Sequence, residues 1–308
     1  MEAAHNGDIV LAYETSGPPG GEPLVLISGT GAQMLIWPEG LCAALADRGF
    51  QVARFDNRDT GLSTHLTGVS APGWLTAMLR PSAAPYRLAD MADDALAVMD
   101  ALGWADAHVV GASLGGMIAQ ALAIGHPGRV RTLTSIMSTP SARIATMPTL
   151  AAIRALARAA GTPVTSPEQA GDRAVALKKV IGSPGYPLDE DLVRDIAARS
   201  FQRHPGADKD DERQRAAVIA SGDRRRALAG LRIPALVIHG DQDSVIRPKG
   251  GRATARAIPG ARLVTYPGMG HDLPAALWPA IVEEIRGAAD ARTSPPRRLR
   301  QAAPGSRA

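Results

Sequence analysis

The chain has 308 residues, of which 45% are hydrophobic and only 4% aromatic, and its formal net charge is +4. This length suits one large α/β domain or a domain with an insertion, and a single cysteine, Cys42, excludes an internal disulfide. No signal-peptide pattern and no stretch of 18 uncharged apolar residues is present, so we expect a cytoplasmic protein without a membrane span.

The basic character of the chain is confined to its last residues. Residues 290–308 hold five arginines and one aspartate, and their net charge of +4 equals that of the whole chain. The remaining residues are neutral and show no basic stripe, so we expect no nucleic-acid partner. The composition of residues 290–308, rich in Pro, Arg and Ala, predicts a disordered basic tail, which we expect to be dispensable from about Thr293.

Short apolar runs between Gly- and Pro-rich turns predict the first elements. Strand 24–27 ends in Ser28-Gly29-Thr30-Gly31, a glycine turn that suggests either a dinucleotide-binding loop or an oxyanion loop. The pattern G-x-G-x-x-G fails because Met34 occupies the third glycine position, so an oxyanion loop remains. The other predicted elements of this part are an edge strand over 9–14, a strand over 51–55, and helices over 38–48 and 88–102.

A charged turn, Asp56 to Ser63, follows the strand at 51–55. Two interpretations stay open, a metal or catalytic site and, as the favoured one, a hydrogen-bonded turn that rigidifies the rim. The loop-rich residues 64–88 that follow contain Trp74 and Tyr86, which are candidates for lining a pocket.

The most informative motif lies in residues 107–121. An apolar strand at 107–110 runs into Gly111-Ala112-Ser113-Leu114-Gly115, a full match to G-x-S-x-G, and an apolar helix follows. This motif bends a strand into a helix and presents the serine at a helix N-terminus, where free N–H groups favour negative charge. Chance occurrence in a Gly- and Ala-rich chain is the alternative, but the strand–turn–helix context favours Ser113 as a nucleophile.

The pattern changes after the next strand, at 130–137. Residues 138–230 show helical periodicity and no convincing strand, which predicts a helical insertion. Its first segment carries Leu150, Ile153 and Leu156 at helical spacing, and these side chains either face a pocket or pack within the insertion. The α/β pattern then resumes with strands over 235–238 and 262–266 and helices over 249–257 and 274–288.

Strands that alternate with helices predict an α/β fold with a mostly parallel sheet and helices on both faces. The expected organisation is a core of residues 1–137 and 231–289, a helical insertion over 138–230 and a tail over 290–308. Ligands are expected beyond the carboxyl ends of the strands.

A serine hydroxyl needs a base, and His271 is the predicted one. It lies in the glycine-rich loop after the last strand and completes the chain order Ser…Asp…His that accompanies this type of serine turn. The acid is expected after the strand that ends at His239, where Asp241 and Asp243 are both candidates. The oxyanion hole is expected to use the N–H of Leu114 and a second donor from the loop at 29–31.

The remaining histidines carry no comparable signal, and we assign His108, His126 and His239 to structural roles. No H-E-x-x-H, paired cysteine or Walker A pattern is present, so we expect neither a metal nor another cofactor.

Five segments together resemble the α/β-hydrolase superfamily over about residues 8–288, and more narrowly the aclacinomycin methylesterase-like serine esterases. The resemblance implies a helical cap over the pocket, with Ser113 as nucleophile, Asp243 as acid, His271 as base, and backbone oxyanion donors at Thr30 and Leu114. The segments are FDNRDTGLST at 55–64, HVVGASLGGMIAQ at 108–120, HPGRV at 126–130, PALVIHGDQD at 234–243 and YPGMGHDLP at 266–274.

Two positions depart from the family pattern. Ser28-Gly29 stands where many relatives have His-Gly, and Arg247 stands nearest the place where relatives carry a proline after the acid. The backbone role of the first position is unaffected. The second puts the choice of acid in question.

The expected activity is that of a serine hydrolase of the carboxylic ester hydrolase class, EC 3.1.1, which acts through an acyl-enzyme on apolar or polyketide-like small molecules. The alternatives are a lactonase, a perhydrolase or a C–C bond hydrolase with the same triad, and a non-catalytic binding protein on a hydrolase scaffold. The sequence does not indicate an oligomeric state.

Overall fold

A computed structural model describes residues 1–141, 148–161, 163–204 and 211–293. Eight strands form one sheet: β1 (Glu2–Asn6), β2 (Ile9–Ser16), β3 (Glu22–Ile27), β4 (Phe50–Phe55), β5 (Ala107–Ala112), β6 (Val130–Ile136), β7 (Ala235–Gly240) and β8 (Arg262–Tyr266). Their order across the sheet is β1-β2-β4-β3-β5-β6-β7-β8. β2 pairs antiparallel with β1 and β4, and all other neighbours are parallel, so the predicted mostly parallel sheet is confirmed.

The prediction that residues 9–14 form an edge strand is wrong. β1 pairs with β2 on one side and β4 pairs with it on the other, so β1 is the edge. β1 escaped the sequence analysis because only Ala4 of its five residues is buried, which leaves no alternating apolar pattern to detect.

Helices α1–α4 and α10–α11 belong to the alternating part of the chain, and α5–α9 lie between β6 and β7. We call α5–α9 the helical segment. The bounds are α1 (Glu39–Ala46), α2 (Trp74–Leu79), α3 (Leu88–Ala101), α4 (Leu114–Gly125), α5 (Leu150–Gly161), α6 (Pro167–Ile181), α7 (Glu190–Arg203), α8 (Asp211–Ala220), α9 (Arg225–Leu228), α10 (Lys249–Ala257) and α11 (Trp278–Thr293). Of the described helices, none is long and apolar enough to cross a membrane.

The side chains of β3 show how the core is divided. Val25 and Ile27 belong to a cluster that includes residues of α3 and α4, whereas Leu24 and Leu26 belong to a second cluster with residues of α1 and α11. Successive side chains of a strand point to opposite faces, so helices cover both faces of the sheet as predicted. This double burial explains why the central strands are continuous apolar runs.

Helix α11 continues through Thr293, so the predicted tail boundary at residue 290 falls inside a helix. Asp290 pairs with Arg286 one turn earlier, which ties it to the helix. Residues 290–293 continue the helix but add no apolar signal. A tail boundary drawn from composition alone therefore falls too early in the chain. The rest of the predicted tail, 294–308, lies outside the described residues.

Candidate active site

The turn between β5 and α4 places Ser113 at the carboxyl edge of the sheet. Ser113 has φ 55° and ψ −117°, a conformation that non-glycine residues rarely adopt. A Cβ on Gly111 would collide with the carbonyl group of Gly115, and a Cβ on Gly115 would collide with that of Ile27. Both glycines of the motif are therefore required by the close approach of three backbone segments.

Side chains from three separate loops form one chain of contacts that ends at Ser113. The Nε2 atom of His271 lies 3.2 Å from Ser113 Oγ, and its Nδ1 atom lies 2.8 Å from Oδ2 of Asp243. The carboxylate of Asp243 is almost fully buried, and its Oδ1 atom accepts the N–H groups of Val245 and Ile246, both at 2.9 Å. The structure thus brings together the predicted nucleophile, acid and base.

The surroundings of Asp243 stabilise its charged form. Burial alone would raise its pKa, but the charge of His271 and the hydrogen bonds from His239 and His271 outweigh burial, so the pKa lies well below its ordinary value. His239 Nε2 lies 2.7 Å from the carbonyl oxygen of Ile246, which can only accept, so this nitrogen carries a proton. The same nitrogen is 3.3 Å from Asp243 Oδ2, so His239 supports the turn that carries Asp243.

Two other aspartates near His271, Asp241 and Asp272, make different contacts. Asp241 Oδ1 accepts the N–H of Gly268 at 2.7 Å, at the start of the histidine loop. Asp272 accepts a hydrogen bond from the hydroxyl of Ser183, in the turn between α6 and α7. Of the three carboxylates, Asp243 is the one in contact with His271.

The predicted oxyanion loop lies beside the serine. A Cβ on Gly29 would stand 3.5 Å from the Cβ of Ser113, which measures how closely the loop approaches. Within the described part of the chain, the N–H groups of Thr30 and Leu114 donate no hydrogen bond. Asn57 Nδ2 donates to the carbonyl oxygen of Ser28 at 3.0 Å and fixes the start of the loop. The loop that contains Thr30 and the first residue of α4, Leu114, thus both adjoin Ser113.

The charged turn after β4 is a hydrogen-bonded structure, as favoured. Asp56 accepts the N–H groups of Met34 at 2.7 Å and Leu62 at 3.0 Å and pairs with Arg203 of α7 at 2.8 Å. Across all described residues, no three His, Cys, Asp or Glu side chains are placed to hold a metal ion. The buried carboxylate of Asp59 pairs with Arg213 at 2.8 Å and accepts the hydroxyl of Tyr86 at 2.7 Å.

The two candidate pocket residues lie in different environments. Tyr86 is buried in the core against Asp59, and Trp74 is 68% exposed on the short helix α2. Leu150 and Ile153 of α5 are also largely exposed, so they do not pack the interior of the helical segment. The amphipathic pattern of α5 is genuine, but Ala152 is its one described residue that is fully buried.

Sequence analysis missed one fully buried polar residue near the site, Gln214 of α8, whose side chain contacts the oxyanion loop. A lone glutamine in a helix of polar and alanine residues carries no motif. Only the three-dimensional contact reveals its position.

The chain is similar to known proteins along most of its length. A family model described as the alpha/beta hydrolase fold matches residues 22–274. The rhodomycin D methylesterase DauP of Streptomyces sp. strain C5 is 30% identical over 298 residues, which cover 90% of this chain and 94% of that protein. The rhodomycin D methylesterase DnrP of Streptomyces peucetius is 29% identical over 300 residues, which cover 91% and 95%.

Among solved structures, the enol-lactonase from Burkholderia xenovorans LB400 has a TM-score of 0.70 and 27% identity. The match covers 94% of this chain and 100% of the enol-lactonase.

Proposed function

This chain belongs to the α/β-hydrolase fold family, and from that premise we propose that it is a carboxylic ester hydrolase that works through an acyl-enzyme on Ser113. The predicted family is thereby confirmed. The observation that carries the proposal is the chain of contacts from Asp243 through His271 to Ser113 Oγ, with distances of 2.8 and 3.2 Å. The nucleophilic attack and the proton transfers of ester cleavage can be assigned to groups in this chain of contacts.

His271 Nε2 takes the proton of Ser113 while Oγ attacks the ester carbonyl carbon. The carbonyl π electrons move to its oxygen, and the N–H groups of Thr30 and Leu114 stabilise the resulting oxyanion. When the intermediate collapses, the C–O bond to the alcohol breaks and His271 returns the proton to the leaving alkoxide. Water, activated by the same imidazole, then hydrolyses the acyl-enzyme and regenerates the serine.

Asp243 supplies orientation rather than proton transfer. As a carboxylate it can only accept, so it holds the proton of His271 on Nδ1 and leaves Nε2 free to act as the base. Its negative charge also stabilises the imidazolium that forms during each half-reaction. Because of its contact with His271, we propose Asp243 as the acid of the triad.

The substrate is proposed from the relatives. Both methylesterases act, by name, on rhodomycin D, which supports a methyl ester as substrate, and the family resemblance supports an apolar, polyketide-like acid portion. We propose that the helical segment is a cap that borders the substrate site, because α7 and α8 contact the loops beside Ser113. A lactone is the second candidate, which the similarity to the enol-lactonase favours. A cytoplasmic location stays a prediction of the sequence.

A substrate panel tests the proposal. Purified protein is assayed with methyl esters of aromatic polyketide acids, short esters that carry a charged acyl group, and enol lactones, each alongside Ser113→Ala. We expect the apolar methyl esters to have the highest kcat/KM and Ser113→Ala to be inactive. Faster turnover of lactones than of esters would indicate that the protein is a lactonase and not an esterase. Tight binding of esters without turnover would indicate a binding protein.

A further inference from the structure

The oxyanion loop, residues 28–34, is held by a side chain of the helical segment. Gln214 of α8 is fully buried, and its Oε1 atom accepts the N–H of Gly31 at 2.8 Å. Its Nε2 atom donates to the carbonyl oxygen of Arg58 and to Oγ1 of Thr60, both at 2.8 Å. Because the N–H of Gly31 can only donate and the carbonyl of Arg58 can only accept, these contacts fix the orientation of the amide.

This contact restrains the backbone at Thr30. In the peptide unit that contains the Thr30 N–H, the carbonyl oxygen of Gly29 accepts the N–H of Ala32 at 3.2 Å. In the next unit, the N–H of Gly31 is held by Gln214. Each peptide unit is planar, so a hydrogen bond to one of its groups also sets the direction of the other. The two peptide units that meet at Thr30 are therefore both fixed, and the direction of its N–H with them.

The fit between α8 and the loop is close. Gly31 has φ +63°, and a Cβ on it would stand 3.2 Å from the Cβ of Asp211, the first residue of α8. A left-handed glycine is thus required where the loop passes α8. The position of the loop beside Ser113 depends on the helical segment and not on the core alone.

We propose that Gln214 is a positioning residue that holds the Thr30 N–H in place for the developing oxyanion. The inference rests on the proposed function, since it assigns a role within the same site. A donor stabilises a transition state best when it is already oriented before charge develops. Gln214 supplies that orientation without touching the substrate.

The loop has further attachments that do not involve Gln214. Gln33 Nε2 donates to the carbonyl oxygen of Ser200 at 2.8 Å, and Met34 N–H donates to Asp56. Arg203 of α7 contacts both Gln33 and Asp56. Loss of the Gln214 contact is therefore expected to loosen the centre of the loop while its far end stays bound.

The test replaces the amide by an apolar side chain of similar length. In Gln214→Met, kcat is expected to fall by about 10- to 100-fold while KM changes by less than about threefold, because the oxyanion exists only after attack. An aryl trifluoromethyl ketone, which forms a hemiketal oxyanion with the serine, serves as the probe. Its inhibition constant should rise by a similar factor.

Gln120→Met is the matched control. Gln120 is also fully buried, and its amide contacts Ser135 and Arg224 about two helical turns from Ser113. We expect a comparable fall in Tm with kcat and the inhibition constant within about threefold of wild type. Equal effects of the two substitutions on the inhibition constant would overturn the positioning role.

A milder variant keeps the proposal testable if Gln214→Met does not fold. Thr60→Val removes one of the two acceptors that orient the Gln214 amide and so weakens its hold on the Gly31 N–H, and kcat should fall by about 3- to 10-fold with KM unchanged. An unchanged kcat in a folded Thr60→Val would contradict the proposal.

The proposed function and the role of Gln214 fail in different ways. Activity that survives Ser113→Ala refutes the proposed function, whereas full activity of Gln214→Met with an essential Ser113 refutes only the role of Gln214.

Discussion

Two aspartates lie two residues apart after β7, and their contacts assign them different tasks. Asp243 reaches His271 Nδ1, whereas Asp241 accepts the N–H of Gly268 in the histidine loop. Without the orienting carboxylate the imidazole adopts the wrong tautomer, so Asp243→Asn should lower kcat by about 10³- to 10⁴-fold in a folded protein. Asp241→Asn serves as the neighbouring control and should lower kcat by less than roughly tenfold. Steady-state kinetics of the two variants tests this assignment. A larger loss of kcat in Asp241→Asn than in Asp243→Asn would identify Asp241 as the acid instead.

The buried imidazole of His108, in β5, makes the stability of the fold depend on pH. Burial lowers its pKa to about 4 even though Nε2 lies 3.1 Å from Glu22. The unfolded chain binds this proton below pH 6.5 and the folded chain only below about pH 4, so stability should fall as the pH drops through that window, by roughly 3 kcal/mol. Urea unfolding between pH 4 and 7 measures this slope, and His108→Gln should reduce it. An identical slope in the variant would mean that His108 is charged in the folded protein.

Single residues were predictable where a motif and its position agreed. Ser113 and His271 follow from G-x-S-x-G and from a glycine loop after the last strand, and the structure places their side chains in contact. The choice between Asp241 and Asp243 needed a family resemblance, because both follow the same strand. Gln214 was out of reach, since its partner Gly31 lies 183 positions away and neither residue forms part of a pattern that joins them.

At the scale of elements, the turn from β5 to α4 depends on glycine. A Cβ on Gly115 would overlap the carbonyl of Ile27 in the neighbouring strand β3, and backbone cannot yield without moving the sheet. Gly115→Ala should therefore destabilise the fold by about 3 kcal/mol or more.

The same helix offers a matched control for that substitution. Gly125, the last residue of α4, has open space around its Cβ position, so Gly125→Ala should leave stability equal or higher by up to about 1 kcal/mol. Thermal unfolding of both variants measures the difference. A Gly115→Ala variant as stable as wild type would show that the turn tolerates a larger separation between β3 and α4.

Elements were predictable where burial on both sides produced a continuous apolar run. β3, β5 and β7 were predicted for this reason. α10 and β8 were also predicted, with the bounds that the structure shows. β1 and α2 were missed because each is short and places little apolar surface in the core. Strand order and the role of β1 as the edge come from pairing between distant segments, which a single sequence does not display.

At the scale of the whole molecule, the helical segment is joined to the α/β part by buried charges and by backbone contacts. Arg203 and Arg213 pair with the buried carboxylates of Asp56 and Asp59. The N–H of His271 donates to the carbonyl oxygen of Ile181 at 2.8 Å. Separation of the two parts would remove the cationic partners of both carboxylates, which is strongly unfavourable for charges that are buried.

We therefore expect one cooperative unfolding transition. All four tryptophans lie outside residues 138–230, so their fluorescence follows the α/β part, whereas circular dichroism at 222 nm follows all helices. The two signals should give the same urea midpoint and the same slope. A circular-dichroism transition that precedes the fluorescence change would show that the helical segment unfolds independently.

The central claim is that Ser113 is the covalent nucleophile. A fluorophosphonate should add one phosphonyl group to the purified protein, and peptide mass spectrometry should locate it on Ser113, with loss of ester hydrolysis in proportion to labelling. Ser113→Ala should show neither labelling nor turnover, while its Tm stays close to that of wild type. Labelling of a different serine, or ester hydrolysis that persists in Ser113→Ala, would contradict the account.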